Sequence, residues 1–278
     1  MNRRSLLATL LMGPGLRMHA QADTGDATDA LLQAWRAQFA REVDHRLDVP
    51  PAAQQAYLVL LQQALGSAGI SDAAPQSYVL VDRNPAIQAA FMVVRGADAR
   101  LQWLGAAAVS TGKPGSYEHF VTPLGVFAHT LSNPDFRAEG TYNQNRIRGY
   151  GLRGLRVFDF GWQDAERGWG DGGVSPMRLQ MHATDPDVLE QRLGSIQSEG
   201  CIRIPTRLNR FLDRHGVLDQ DYESALAQGD NLWVVSPGRP LIPWPGRYLV
   251  IVDSKAPERP GWSPLPAGQT VPHQRARI

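Results

Sequence analysis

Cysteine is almost missing from this chain: 278 residues carry one thiol, Cys201. A single cysteine excludes an internal disulfide, so the thiol is either a small buried apolar residue or a free nucleophile. An excess of one charge is missing as well. Lysine and arginine total 28 against 27 acidic residues, a net charge of +1 with no long block of either sign. That balance gives no electrostatic footprint for nucleic acid or for a membrane surface. The apolar run near the start, Leu6 to Leu16, is shorter than the roughly 20 residues that cross a bilayer, so no integral membrane segment is expected. The 7 histidines never fall in His-x-His or His-x-x-x-His spacing, and no metal or other cofactor is expected.

What is present starts with an export pattern. Asn2-Arg3-Arg4 is a short basic region, the Leu6 to Leu16 run follows, and Ala20-Gln21-Ala22 has the small-x-small form of a cleavage site. Residues 1–22 are read as a cleaved signal peptide, of the ordinary secretory or the twin-arginine kind, which places the mature protein in the periplasm or outside the cell. With 43% hydrophobic residues the remainder suits one globular domain with a small helical addition, expected to act as a monomer.

From Asp29 to Gly66 the apolar period is helical. Leu31, Trp35, Phe39, Val43 and Leu47 recur every fourth residue, and Tyr57, Leu60, Leu61, Ala64 and Leu65 form a second stripe after Pro50-Pro51. The pattern predicts an antiparallel helix pair within a region spanning 23–76. Short strands are then expected at 78–81, 90–94, 106–109, 125–129, 156–160 and 177–181, with turn residues between them. The core is therefore mainly β, with helices appended. Residues 131–173 lack periodicity and read as a long binding loop, in which Tyr142, Tyr150, Trp162 and Trp169 are either groove walls or cover for the strands. Asp185 as N-cap and Gly194 as stop predict a helix between them, and a second helix starts at Pro205 with Leu208, Phe211 and Leu212 inward. Residues 231–235 read as a closing strand, 247–253 as one more beyond the core, and the Pro-rich basic end of 256–278 as disordered.

The chemistry concentrates in Ser198-Glu199-Gly200-Cys201-Ile202-Arg203 and in His182 upstream. A thiolate is the nucleophilic form of cysteine, and a neighbouring imidazole supplies the base that makes it. Gly200 permits a tight turn with uncovered N–H groups suited to an oxyanion, and Arg203 offers a cationic fork for a substrate carboxylate. One short helix out and back brings His182 and Cys201, 19 residues apart, face to face.

His182-Ala183-Thr184 followed by Ser-x-Gly-Cys-Ile-Arg resembles the signature of the L,D-transpeptidase (YkuD-type) family of cell-wall enzymes. Ser110-Thr111-Gly112-Lys113 and Thr122-Pro123-Leu124-Gly125 are similar to two further segments of that family, so the resemblance covers 77–237, with 238–278 as a C-terminal extension. It implies a β-sandwich catalytic domain without cofactor, acting on peptidoglycan stem peptides. Cys201 is then the nucleophile and His182 the base, its other nitrogen oriented by the Ala183 carbonyl. Backbone N–H groups at Gly200 and Cys201 hold the oxyanion, and Ser198, Thr184 and Arg203 contact the donor stem. The implied reaction cuts a tetrapeptide after its third residue, releases D-alanine and passes the acyl group to an amine. Water as acceptor makes the same enzyme a carboxypeptidase or endopeptidase, and a wall-binding module without chemistry is the alternative of another class. Ala183 replaces the family's usual glycine and Glu199 its usual histidine, the latter putting an anion near the thiol.

Overall fold

The structure is a computed structural model that describes residues 16–71 and 74–267. Residues 1–15 of the expected signal and the last residues of the expected tail lie outside the described residues. Two helices open the chain, α1 (Leu16–Glu42) and α2 (Pro51–Ser67). Strands β1 (Gln76–Asp82), β2 (Ala89–Arg95), β3 (Leu101–Ala108) and β4 (Gly125–Ala128) build one sheet. Strands β5 (Phe136–Arg137), β6 (Arg156–Glu166), β7 (Val174–Ala183) and β8 (Ile202–Ile204) build another. Helices α3 (Thr206–His215) and α4 (Gln220–Ala227) follow, and β9 (Tyr248–Val252) returns to the first sheet. The protein is mixed α/β with strand dominant over helix, in agreement with a sandwich of two sheets.

The first sheet has the order β3-β2-β1-β9-β4 and the second β5-β6-β7-β8. Both faces of the first sheet are covered, which is why its strands read as continuous apolar runs rather than alternating ones. Val79 and Val81 on β1 join a core shared with Phe158, Leu179 and Ile202 of the second sheet. Tyr78 and Leu80, which alternate with them, face the other way onto Tyr57, Leu61 and Leu65 of α2. Strand β9, expected beyond the core, lies inside this sheet between β1 and β4, parallel to the first and antiparallel to the second. Its apolar residues serve both layers, Leu249 and Ile251 in one and Val250 in the other.

The expected helix pair does not form. Leu32, Phe39 and Val43 of α1 enter the core between the sheets, whereas α2 covers the opposite face. The connection explains this: Leu47 N–H donates to Ala106 O at 3.1 Å and Ala108 N–H to His45 O at 3.0 Å, so the chain rounds the β3 edge as an extended segment. Leu47 thus belongs to that segment, and Leu31 is exposed while Leu32 takes the buried place.

Two other elements differ from the sequence pattern. Residues 185–194 form turns and one 3-10 turn at Glu190–Arg192 instead of an α-helix. The segment is too short to hold a helix unaided, and Glu190 is drawn away to accept the Thr206 N–H at the start of α3. Residues 231–235 turn rather than extend: Val235 N–H donates to Leu232 O, and the Val234 carbonyl accepts the Arg137 guanidinium in place of a ladder partner.

A buried ionic cluster fastens the end of β4 to β6 and to the α3–α4 junction. His129 donates from Nδ1 to Leu218 O at 2.9 Å and from Nε2 to the Asp135 carboxylate at 2.8 Å. Both partners only accept, so the ring carries both protons. Burial opposes that charge, and Asp135 outweighs it, holding the His129 pKa above its ordinary value. Arg156 bridges Asp135 (2.5 Å) and Asp219 (2.7 Å) and lies 4.7 Å over the Tyr222 ring.

Candidate active site

Strand β7 has a core face and a site face. Met177, Leu179 and Met181 enter the core; Arg178, Gln180 and His182, at the alternate positions, lie on the other side. Ile202 and Ile204 of β8 are core residues too, which sets Cys201 and Arg203 on that same outer face. The strands are parallel with His182 opposite Arg203. On β6 the register shifts between Asp159 and Trp162, so Asp159 opposes Gln180 and Trp162 opposes Arg178. The extra residue keeps Trp162 on the site face, where an unbroken strand would have turned it inward. Tyr150 leans over this surface, its ring 4.7 Å from that of His182 and its hydroxyl 3.1 Å from Gln180 Oε1.

The Cys201 loop is clamped by the two segments upstream. Ser110 and Arg203 exchange backbone hydrogen bonds at 2.9 and 2.8 Å, and Lys113 N–H donates to Ser198 O at 2.8 Å. The Thr122 hydroxyl donates to Gly200 O at 2.7 Å and accepts the Gly112 N–H at 2.8 Å. Two glycines are required here. Gly200 has φ +131°, and a Cβ on Gly112 would meet Phe120 O at 2.0 Å.

His182 Nδ1 donates to the Ala183 carbonyl at 2.8 Å, which leaves Nε2 as the acceptor of the neutral ring. The Cys201 thiol donates to Arg178 O at 3.7 Å rather than to His182. Burial lowers the His182 pKa to about 4; the Ala183 bond opposes this and Arg203 adds to it. Burial also raises the Cys201 pKa to about 11, with the Gln180 backbone and Arg203 pulling it down and Glu199 and Asp159 pushing it up. At neutral pH the pair is therefore a thiol and a neutral imidazole.

The remaining expected site residues divide. Arg203 stands opposite His182 across the β7–β8 pair, with Nη1 donating to Gln197 O at 3.2 Å and a buried Nε that has no partner among the described residues. Ser198 is 1% exposed, and its hydroxyl donates to Cys201 O at 2.5 Å and accepts the Gly200 N–H at 3.2 Å. It thus braces the loop, and it also occupies the Gly200 amide expected at the oxyanion. Thr184 is 1% exposed, closed off from a ligand at the surface.

Three further residues join the site that residue type did not single out. Asp159 accepts from Arg178 Nε (3.0 and 2.9 Å), from Gln180 Nε2 (2.9 Å) and from Gly161 N–H (2.8 Å). Strand alternation back from His182 would have found Gln180 and Arg178; Asp159 was hidden by the bulge. Beside Tyr150 opens a cavity of about 480 Å³ lined by Phe136, Glu139 and Thr141 among others. Within the long aromatic segment, the strand expected at 156–160 continues to Glu166, Phe136–Arg137 form β5, and Trp169 packs on Phe120. Elsewhere, Asp44, His45 and Glu190 bring ligand-type atoms within 4.8 Å of one another, a grouping that spacing in the sequence did not reveal. Among the described residues no helix is long and apolar enough to cross a membrane. Comparison with known proteins finds no matching family model and no matching curated sequence.

Proposed function

We propose that this protein is a cysteine-dependent acyltransferase of the L,D-transpeptidase (YkuD-type) kind, acting on peptidoglycan stem peptides after export to the periplasm or beyond. The observation that carries the reading is the shared outer face of β7 and β8, where a histidine on β7 has Nδ1 fixed on the Ala183 carbonyl and the sole thiol stands one residue before β8. Motif segments far apart in sequence also converge on the Cys201 loop, as an active centre of this kind needs.

Cys201 Sγ attacks the carbonyl carbon of the amide, and its proton passes to His182 Nε2 as the C–S bond forms. Because burial keeps the thiol protonated beforehand, the imidazole acts as a general base during attack rather than as half of a preformed ion pair. The developing oxyanion falls to the Cys201 N–H, since the Gly200 N–H is engaged by Ser198. Collapse breaks the C–N bond, His182 returns the proton to the leaving amine, and a thioester remains. An acceptor amine, or water, then attacks the thioester and Cys201 recovers its proton.

Mass spectrometry of the intact protein with a disaccharide-tetrapeptide, with and without an amine acceptor, tests this beside Cys201→Ala. The expected result is an acyl adduct on Cys201 that resolves into a cross-linked product. Resolution only to tripeptide identifies a hydrolase, and no adduct at all overturns acyl transfer.

A further inference from the structure

The site face holds two arginines with different duties. Arg203 is half-buried, its Nη1 engaged by Gln197 O, and it acts on the charge of both His182 and Cys201. Arg178 is half-exposed, with 37% of its side chain open. Its hydrogen bonds to Asp159 both run through Nε, leaving the two terminal nitrogens without a partner among the described residues. Asp159 is itself 2% exposed and tied to Gln180 and Gly161, so it holds the guanidinium in one orientation. Trp162, 65% exposed, lies directly across the ladder with its ring 5.9 Å from the guanidinium carbon. A fixed arginine with an open fork beside an exposed indole is a carboxylate receptor with an apolar wall.

Its distance from the thiol selects which carboxylate. Extending the β7–β8 register by one residue sets Cys201 opposite Gln180. Arg178 is then one strand over and two residues along, about 8 Å between Cα atoms at ordinary strand spacings. The Arg178 carbonyl already touches the thiol at 3.7 Å. A substrate cut one residue from its C-terminus carries its free carboxylate about one residue length, roughly 3.8 Å, past the scissile bond, which a long side chain anchored at Arg178 spans. We infer that Arg178 and Trp162 form the subsite for the free carboxylate of the substrate's terminal residue. This assignment rests on the acyl-transfer reading and gives Arg178 the recognition role that the sequence pattern suggested for Arg203.

The test separates the subsite from the chemistry. Binding of a synthetic tetrapeptide with C-terminal D-alanine, as free acid and as carboxamide, is followed through tryptophan fluorescence on the Cys201→Ala protein. The free acid is expected to bind at least tenfold tighter, and adding Arg178→Gln is expected to bring the two within about twofold. Arg178→Lys, which keeps the cation beside Asp159 but loses the fork, is expected to retain part of the preference. Trp162→Ala, at an exposed position, weakens both peptides alike. Equal binding of the two peptides to Cys201→Ala, or an undiminished preference in folded Arg178→Gln, overturns the inference. Adduct formation on the wild type is scored apart: no adduct with an Arg178-dependent preference sinks acyl transfer and supports the subsite, and an adduct with no preference does the reverse.

Discussion

Two buried histidines, His129 and His182, sit in this fold under opposite electrostatics. His129 has a carboxylate on one nitrogen and a carbonyl on the other, and is held as a cation with its pKa above the ordinary value. His182 has only the Ala183 carbonyl, with Arg203 as its charged neighbour, and is held neutral with its pKa lowered to about 4. Both rings lie in the interior, at 0% and 5% exposure. Burial alone therefore decides nothing. The partner on the second nitrogen makes one ring a structural cation and leaves the other free to accept a proton.

The strongest test of that contrast removes the thiol that the proposed reaction assigns to His182. Cys201→Ala is expected to abolish the acyl adduct while the far-ultraviolet circular dichroism stays unchanged, because a small side chain is lost from a loop held by backbone bonds. Next come the histidines themselves. His182→Gln is expected to slow adduct formation by about 10²- to 10⁴-fold, the usual weight of a general base. His129→Gln is expected to lower the unfolding free energy by about 3–5 kcal/mol in urea titration, since Asp135 loses a charged partner in the interior. Its folded fraction should still acylate at the wild-type rate. A His129 variant that is stable but inactive would dissolve the distinction.

Acidity sharpens the comparison further, since the two signs differ. The folded pKa of His129 is raised, so its contribution is full below about 6.5, the unfolded value, and is lost as pH rises through the folded value. The folded pKa of His182 is lowered, so its contribution is present above 6.5 and lost as pH falls through about 4. Denaturant midpoints against pH are expected to lose the alkaline decline in His129→Gln and to soften on the acid side in His182→Gln. Thiol alkylation by iodoacetamide is expected to rise about tenfold per pH unit toward about 11, where burial has moved the thiol. The smallest effect is expected of Arg203→Gln. Loss of its cation raises both the thiol and the imidazole pKa, and slows alkylation at pH 8 by a few fold.

The residues of the candidate site could be named from the sequence because their arrangement is local. Gly200 next to Cys201, Arg203 two residues on, and His182 with the next carbonyl are short-range arrangements that residue types can announce. The strands at 76–82, 89–95 and 174–183 were legible for a similar reason, since β-branched runs and alternation are carried by neighbours in sequence. The Ser198 hydroxyl, expected toward a ligand, is engaged within its own loop by Cys201 O and the Gly200 N–H. Elements whose form depends on remote partners were misread. The stretch from Asp185 to Gly194 has good helix punctuation, yet Glu190 goes to the start of α3.

By itself, then, the sequence determined a mainly β core, an unpaired thiol, and the glycines that its loop requires. Only the tertiary structure decided that α1 and α2 take opposite faces of a sheet, that β9 lies inside it between β1 and β4, and that Arg178 and Asp159 are joined on the face that carries His182. Local propensity fixes what a segment tends to be, through interactions a few residues long. Which face is buried, which strands are neighbours and which ionisable groups lose water are properties of contacts between distant segments, and those contacts set both the register and the pKa values of this site.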